Sequence, residues 1–489
     1  MDPTTAAEKA AKKKAHEHDE AMKIVHGPLG RGVFKLGFPL AIAMVLQSTF
    51  NLVDMLIVAG LPNAGDAIAA LAICDLVAMI PTILGNGVAN AAAAMVARRV
   101  GEKDPAGASF VTWQSISLVA IISIVFGLVG SVFADPITRD VFGAKGDMAS
   151  LTASYMVVIM AGGFSILLLL QVCAILRALG DGTTPLVLLV GSNVLNFFWA
   201  ILFVYGNGPA PEAFAWMGGI ADALGIEPMG VVGTAWSTLG SRTIALAIGL
   251  IVLARRKGLV RFAPRSLLPT RDVFKRLYEV AWPNSAQFVL RIAIIEVYLA
   301  IVTRLFTTEL DHTASTAYGI CIRLETLVLF LSMGWGAAAS TYVGQNLGAG
   351  DKARALKAGW YAAGFNLAFV AVFQIIFLAF APQIIGIFDS DPRVLQYGVE
   401  YLQIVGASYL LFGLAVVLSQ ALTGAGLTML GFKIDLIAVL AFIAPATIVA
   451  LAAFDLNVLW TWILIAAGNV VSGVLYVFWY RRGHWVRSA

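Results

Sequence analysis

The chain has 489 residues, 59% of them hydrophobic and 13% charged; a soluble domain carries roughly 25% charged residues, so a soluble globular fold is excluded. The formal net charge of +4 is small and dispersed, reads as a membrane-topology signal, and leaves no call for a nucleic-acid partner. Cys74, Cys173 and Cys321 all sit in apolar segments and are odd in number, which argues against a disulfide framework or a zinc site.

In chain order, residues 1–30 form a basic tail without the apolar core of a cleaved signal. The "HEHDE" run at 16–20 lacks HExxH spacing and reads as a solvated, helical juxtamembrane segment. Twelve apolar stretches follow, at 31–59, 66–97, 107–134, 150–176, 184–206, 228–254, 273–304, 313–346, 355–381, 395–423, 430–454 and 457–480. Each is near or above the roughly 20 residues that span a bilayer. A spanning backbone must satisfy its own hydrogen bonds, as helices or as a closed barrel. Continuous apolar runs exclude the alternating barrel pattern, so the fold class is all-α integral membrane, with twelve transmembrane helices.

Lys and Arg gather before the first span, at 98–103, at Arg177, through 255–276, at 352–357 and after the last span. The opposite side carries Arg139, Lys145, Arg304 and Arg393. That bias predicts a multi-pass cell-membrane protein with both termini cytoplasmic.

The spans contain polar residues that hydrocarbon does not tolerate cheaply. In the first, Gln47, Asn51 and Asp54 stand four and then three apart, one stripe on a helix. An Asp at the bilayer centre costs about 2.5–3.5 kcal/mol. The stripe is expected to face a cavity within the first lobe; the alternative is a buried packing network. Pro39, upstream, removes a helical hydrogen bond and offers a bend. The fifth span brings Ser192, Asn193 and Asn196, and the sixth Thr234 and Thr238, two hydroxyls that could bond their own helix. Arg291 and Glu296 in span seven turn away from each other, so cross-helix pairing with Arg323 and Glu325 of span eight is expected. Such a network is structural or lines a cavity. Lys433 and Asp435 are expected to snorkel.

The two halves repeat. Residues 72–108 and 319–355 match at an offset of 247, at Cys74/Cys321, Gly87/Gly334, Gly101/Gly348 and Asp104/Asp351 among others. Pro39 answers Pro283, and "LRALGDG" at 176–182 answers "ALTGAGL" at 421–427. Six spans per copy give both copies the same polarity, a parallel repeat about an axis along the membrane normal. The expected domains are a tail (1–30), an N-lobe of six spans (31–254), a cytoplasmic linker (255–272), a C-lobe of six spans (273–482) and a second tail (483–489). Sites in such proteins lie at or near the repeat interface and work by rocking of the lobes, which favours a transporter over a channel.

The stretches "FPLAIAMVLQSTFNLVDMLIVAGL", "LRALGDGTTPLVLLVGSNVLN" and "YGICIRLETLVLFLSMGWGAAASTYVGQNLGAGDKARA" resemble the MATE (multidrug and toxic compound extrusion) family of the MOP superfamily, over about 30–480. The resemblance implies two six-helix lobes around a cleft, and extrusion of organic, often cationic and aromatic compounds against H⁺ or Na⁺. It further implies a coupling role for Asp54, with Asn196 and Thr238 in the same cation site and Gln47 and Asn51 beside it. Glu296 matches an acid of eukaryotic members. Two departures follow: a second fifth-helix Asp of many members is here Ala200, and the first seventh-helix acid of NorM-type members is here Arg291. The tenth span also lacks their buried Asp. The weight thus shifts to the N-lobe, as in the DinF-like branch, and the loss of a carboxylate favours H⁺ over a Na⁺ cage of Asp54, Asn196 and Thr238. No cofactor and no enzymatic activity are implied, and the expected unit is a monomer exchanging small organic molecules amid lipid. Phe50, Phe197, Phe198, Trp199 and Tyr298 are candidate cleft aromatics. A lipid-linked oligosaccharide flippase of the same superfamily is the rival; it would use Arg291, Arg323 and Arg242 to hold a pyrophosphate.

Overall fold

A computed structural model describes residues 24–256, 260–261, 267–268, 270–308, 311–453 and 457–488, with the side chains of 49–53, 450–453 and 487–488 outside that description. The regular structure among the described residues is helical, apart from one isolated bridge between Thr308 and Asp311. In the first half the long helices are α1 (Leu29–Val58), α2 (Ala64–Gly101), α3 (Pro105–Val132), α4 (Gly146–Ala161), α5 (Gly163–Ala178), α6 (Thr183–Tyr205) and α7 (Val231–Arg255). The second half has α8 (Arg271–Phe306), α9 (Thr313–Gly348), α10 (Lys352–Ala379), α11 (Pro392–Gly424), α12 (Thr428–Ile437), α13 (Ala444–Ala453) and α14 (Val458–Arg482).

Among the described residues, ten helical stretches are long and apolar enough to cross a membrane, and α4 with α5, bent by 40°, supply an eleventh if read as one span. The bend falls at Gly162, whose N–H bonds Val158 O while its own carbonyl accepts the Ser165 hydroxyl. The eleventh expected span is α12 and α13 joined through a π-helical turn, Ala438–Ile443. The remaining expected span lies on α8, 36 residues long with Pro283 inside it and Arg291 and Glu296 in its second half. It is not among those ten. α1 runs as one helix through Pro39.

The chain clusters into two units. The first holds Leu46–Ala92 and Pro105–Tyr278. The second holds Ala93–Asp104, Glu279–Ala489 and the described residues up to Val45. Its core includes the stacked and edge-packed rings of Tyr318, Tyr401 and Trp462, each nearly inaccessible. In the first unit, Cys74, Tyr155 and Met156 centre one apolar cluster and Ile57, Ala200 and Tyr205 another. The three cysteines are buried and unbridged.

The duplication reaches down to single backbone bonds. α2 ends with Lys103 N bonded to Val100 O and Asp104 N to Arg99 O; α9 ends with Gly350 N bonded to Leu347 O and Asp351 N to Asn346 O. These caps need a left-handed residue. Gly350 supplies it at φ 81°, and Lys103 supplies it at φ 58°, the one non-glycine with positive φ among the described residues. In the second unit, α2 and α9 cross through small residues. A methyl group on Gly101 would overlap the backbone of Gln345, and one on Gly348 would overlap that of Arg98. Each glycine therefore touches the residue three before its own counterpart in the other half.

The described part of the linker is fastened to α3 within the first unit. Ser109 accepts from Arg261 N at 2.8 Å, and Trp113 donates its indole N–H to Arg261 O at 3.0 Å. Gln114 donates to Leu268 O and accepts from Thr270 N at 2.9 Å.

Candidate functional site

Three helices of the first unit each contribute one polar face. On α1, Gln47 and Asp54 stand seven residues apart, close to two turns; on α6, Asn193 and Asn196 stand three apart; on α7, Thr238 and Arg242 stand four apart. Each pair lies on one face of its helix, and hydrogen bonds gather the six side chains into two layers. In one, Asn196 Nδ2 donates to Asp54 Oδ1 at 2.9 Å, and Thr238 Oγ1 donates to Asn196 Oδ1 at 3.2 Å. In the other, Arg242 Nη2 donates to Asn193 Oδ1 at 2.7 Å. Asn193 Nδ2 and Arg242 Nη1 both reach Gln47 Oε1, at 3.5 Å. Asn193 and Asn196 are buried, while Asp54, Gln47, Thr238 and Arg242 are half-buried.

The arrangement can hold or release one cation at a carboxylate. An ionised carboxylate only accepts, so Asp54 draws the N–H end of Asn196, and the Thr238 hydroxyl donates to the amide oxygen turned the other way. The neighbouring threonine behaves otherwise: Thr234 bonds its own helix at Val231 O, a purely local contact. Ala200, one turn beyond Asn196, is fully buried in the apolar cluster with Ile57 and Tyr205. At the position where the resemblance led one to look for a second acid, this chain has apolar packing. Among the described residues no group of three or more His, Cys, Asp or Glu is placed to hold a metal ion.

The structure thus brings together four of the expected residues, Asp54, Asn196, Gln47 and Thr238. The fifth, Asn51, has its side chain outside the described residues, as has Phe50. Arg242 is the member that sequence reasoning did not place with Asp54. Its signal was present, since Thr238 and Arg242 share a helical face. Asp75 on α2 was passed over as well, although it is a carboxylate inside an expected span; it is exposed, beside the buried Cys74 whose thiol contacts Thr152 O. Of the candidate aromatics, Phe198 is 41% exposed and packs on Trp216, Trp199 packs on Phe203, and Phe197 is half-buried against Phe198.

The second unit corrects the expected charge pairing. Arg291 pairs with Asp435, Nη2 to Oδ2 at 3.1 Å, and Glu325 accepts from the Tyr401 hydroxyl at 2.7 Å. Glu296 and Arg323 are exposed and enter none of the salt bridges among the described residues. Asp435 does not snorkel: its side chain is 8% exposed. The reason is local competition. A half-buried guanidinium needs a desolvated anion at contact distance, and α12 delivers Asp435 there whereas α9 aims Glu325 at Tyr401. Lys433 is exposed, as expected of a snorkelling side chain. A cavity of about 120 Å³ lies beside these groups, lined by Arg291, Tyr298, Tyr318, Glu325, Tyr401 and Asp435. Tyr298 belongs here, its hydroxyl paired with Thr447 at 3.3 Å.

A family model described as MatE matches residues 39–202 and 292–448. A FAD transporter of Shewanella oneidensis is 24% identical over 405 residues, covering 82% of this chain and 84% of its own length. A probable multidrug resistance protein NorM of Thermotoga maritima is 24% identical, covering 94% and 93%. Among solved structures, a MOP superfamily transporter from Pyrococcus furiosus, whose description points to reverse polarity of its binding pocket, aligns at a TM-score of 0.83. It is 22% identical, with 96% of this chain and 99% of that one covered.

Proposed function

Because this chain belongs to the MatE family of membrane transporters, a family of transporters and not of enzymes, we propose that it is a secondary active exporter of organic, often cationic and aromatic compounds, driven by inward flow of H⁺. The multidrug names of distant relatives support the substrate class. The observation that carries the coupling is the two-layer polar site, with Asp54 bonded to Asn196 and Asn196 fixed by Thr238. A carboxylate on a spanning helix is costly unless it works. Alternating access moves it between hydrated and desolvated settings, and such a group takes up a proton in one and yields it in the other. Asp54 then serves either the proton or a cationic substrate, and that competition is the antiport. Concentration of this chemistry in the first unit, and Ala200 in place of a second acid, support the DinF-like branch. In this reading the protein works as a monomer in the cell membrane with both termini cytoplasmic.

A second reading, transport of a phosphate-bearing or lipid-linked substrate, draws on the FAD transporter relative. It would need free arginines. Arg291 is paired with Asp435 and Arg242 is bound by two amides, which leaves Arg323 exposed. Displacement of a bound fluorescent cation by nucleotides or by organic cations separates the readings.

The deciding experiment is efflux of an ethidium-type dye from proteoliposomes under an imposed ΔpH or ΔNa⁺. Wild type is expected to respond to ΔpH, and Asp54→Asn to lose that response. Normal coupling in the variant would overturn the role of Asp54.

A further inference from the structure

The layer beneath Asp54 carries a charge that proton antiport does not itself require. The Arg242 guanidinium is held by Asn193 Oδ1 at 2.7 Å and by Gln47 Oε1 at 3.5 Å, both neutral acceptors. It enters none of the salt bridges among the described residues. On α7 it stands one turn from Thr238, and on α6 its partner Asn193 stands nearly one turn from Asn196. A fixed cation is therefore built into the layer adjoining the coupling carboxylate.

We propose that Arg242 is the ion-selectivity determinant of this site, admitting H⁺ to Asp54 and refusing Na⁺. The inference rests on reading Asp54 as the coupling group. Two effects act together. A bare hard cation asks for several oxygen ligands, as the alkaline-earth ions do, and Arg242 already occupies two amide oxygens of the adjoining layer, Asn193 Oδ1 and Gln47 Oε1, which withdraws them as ligands. Asn196 Oδ1 is likewise taken, by Thr238. The guanidinium also repels a second cation in a setting where charges are weakly screened. A proton meets neither obstacle, since it needs one lone pair of Asp54 and becomes part of a neutral group. The other titratable groups that interact with this pair are Asp75 on α2, Tyr155 on α4 and Cys173 on α5. Asp75, the one further carboxylate among them, is exposed, and its charge acts on the Asp54 carboxylate.

The test is equilibrium Na⁺ binding, read as Na⁺-specific thermal stabilisation of the purified full chain in detergent, with K⁺ holding ionic strength constant. Wild type is expected to show no Na⁺-specific shift. Arg242→Gln is expected to gain one and to lose it again when combined with Asp54→Asn. Its half-saturating Na⁺ concentration should lie about tenfold or more below the highest concentration at which wild type shows no shift, the least expected on removing a unit charge roughly one to two helical turns away at an effective dielectric of ~20. Arg242→Lys, which keeps the charge, stays indifferent to Na⁺ and provides the comparison should Arg242→Gln not fold. Na⁺ stabilisation of wild type that vanishes in Asp54→Asn overturns the proposal, as does a Na⁺ response in Arg242→Lys. So does an Arg242→Gln protein that keeps Asp54-dependent ΔpH coupling yet ignores Na⁺. Failure of the Asp54 reading is a separate result, since it shows as ΔpH-driven efflux persisting in Asp54→Asn alone.

Discussion

Arg291 and Asp435 show how little a helical sequence says about which charges meet. The pair is partly to fully buried, so its two members are far from interchangeable with solvent-exposed charges. Removing Arg291 alone, as Arg291→Met, strands the Asp435 carboxylate and should lower stability by about 3–5 kcal/mol. Removing both, as Arg291→Met with Asp435→Leu, should restore most of it, because the desolvation cost disappears with the charges. Thermal unfolding in detergent compares the two; equal losses would show that the pair is not the unit. Asp54, Gln47, Asn196 and Thr238 were legible because spacing along a single helix puts polar residues on one face, and the resembled motifs added their roles. For Arg242 the face was legible, shared with Thr238, but not the partner, and for Asp435 neither was, since the bonds to Asn193 and Arg291 cross between helices. Periodicity fixes the face a residue occupies and leaves open the neighbour across from it.

Helix ends carry their own logic, and here the two halves test each other. Gly350 and Lys103 occupy the same left-handed position after α9 and α2. A Cβ on Gly350 meets nothing within 4 Å, so Gly350→Ala isolates backbone strain, about 1–2 kcal/mol. At Lys103 the argument runs the other way. Lys103→Gly removes strain of that size against roughly 0.5–1 kcal/mol of added chain entropy, a net gain of order 0.5 kcal/mol. Opposite shifts in melting temperature are expected, and shifts of the same sign would refute the capping account. The element boundaries were readable where such turns punctuate apolar runs, as at 101–104 and 348–351. The break at Gly162 and the π-helical turn at 438–443 were not, since both lie inside runs that are apolar from end to end.

For the molecule as a whole, the offset of 247 residues announced the repeat, and the structure carries it into the crossing of α2 with α9. Gly101→Ala and Gly348→Ala each press a methyl group into backbone that cannot step aside. Each should cost about 1–3 kcal/mol, and the two costs should be similar; a large inequality in unfolding would mean that the crossing is symmetric in sequence alone. What the repeat could not disclose is the grouping of segments, in which the start of α1 and the end of α2 cluster with the second half of the chain. That grouping depends on three-dimensional contacts that no one-dimensional offset contains.

The α2–α9 crossing has a corollary for how such a chain arises. Each half contains both surfaces of the contact, a glycine and, three residues before it, the backbone that receives the other half's glycine. An interface of that kind is isologous, the sort by which identical subunits pair about a two-fold axis. A single six-helix ancestor would have fitted a second copy of itself at this point with no dedicated partner. Within one chain the two glycines stand at separate positions, so each helix end can differ from its counterpart, as Lys103 and Gly350 do.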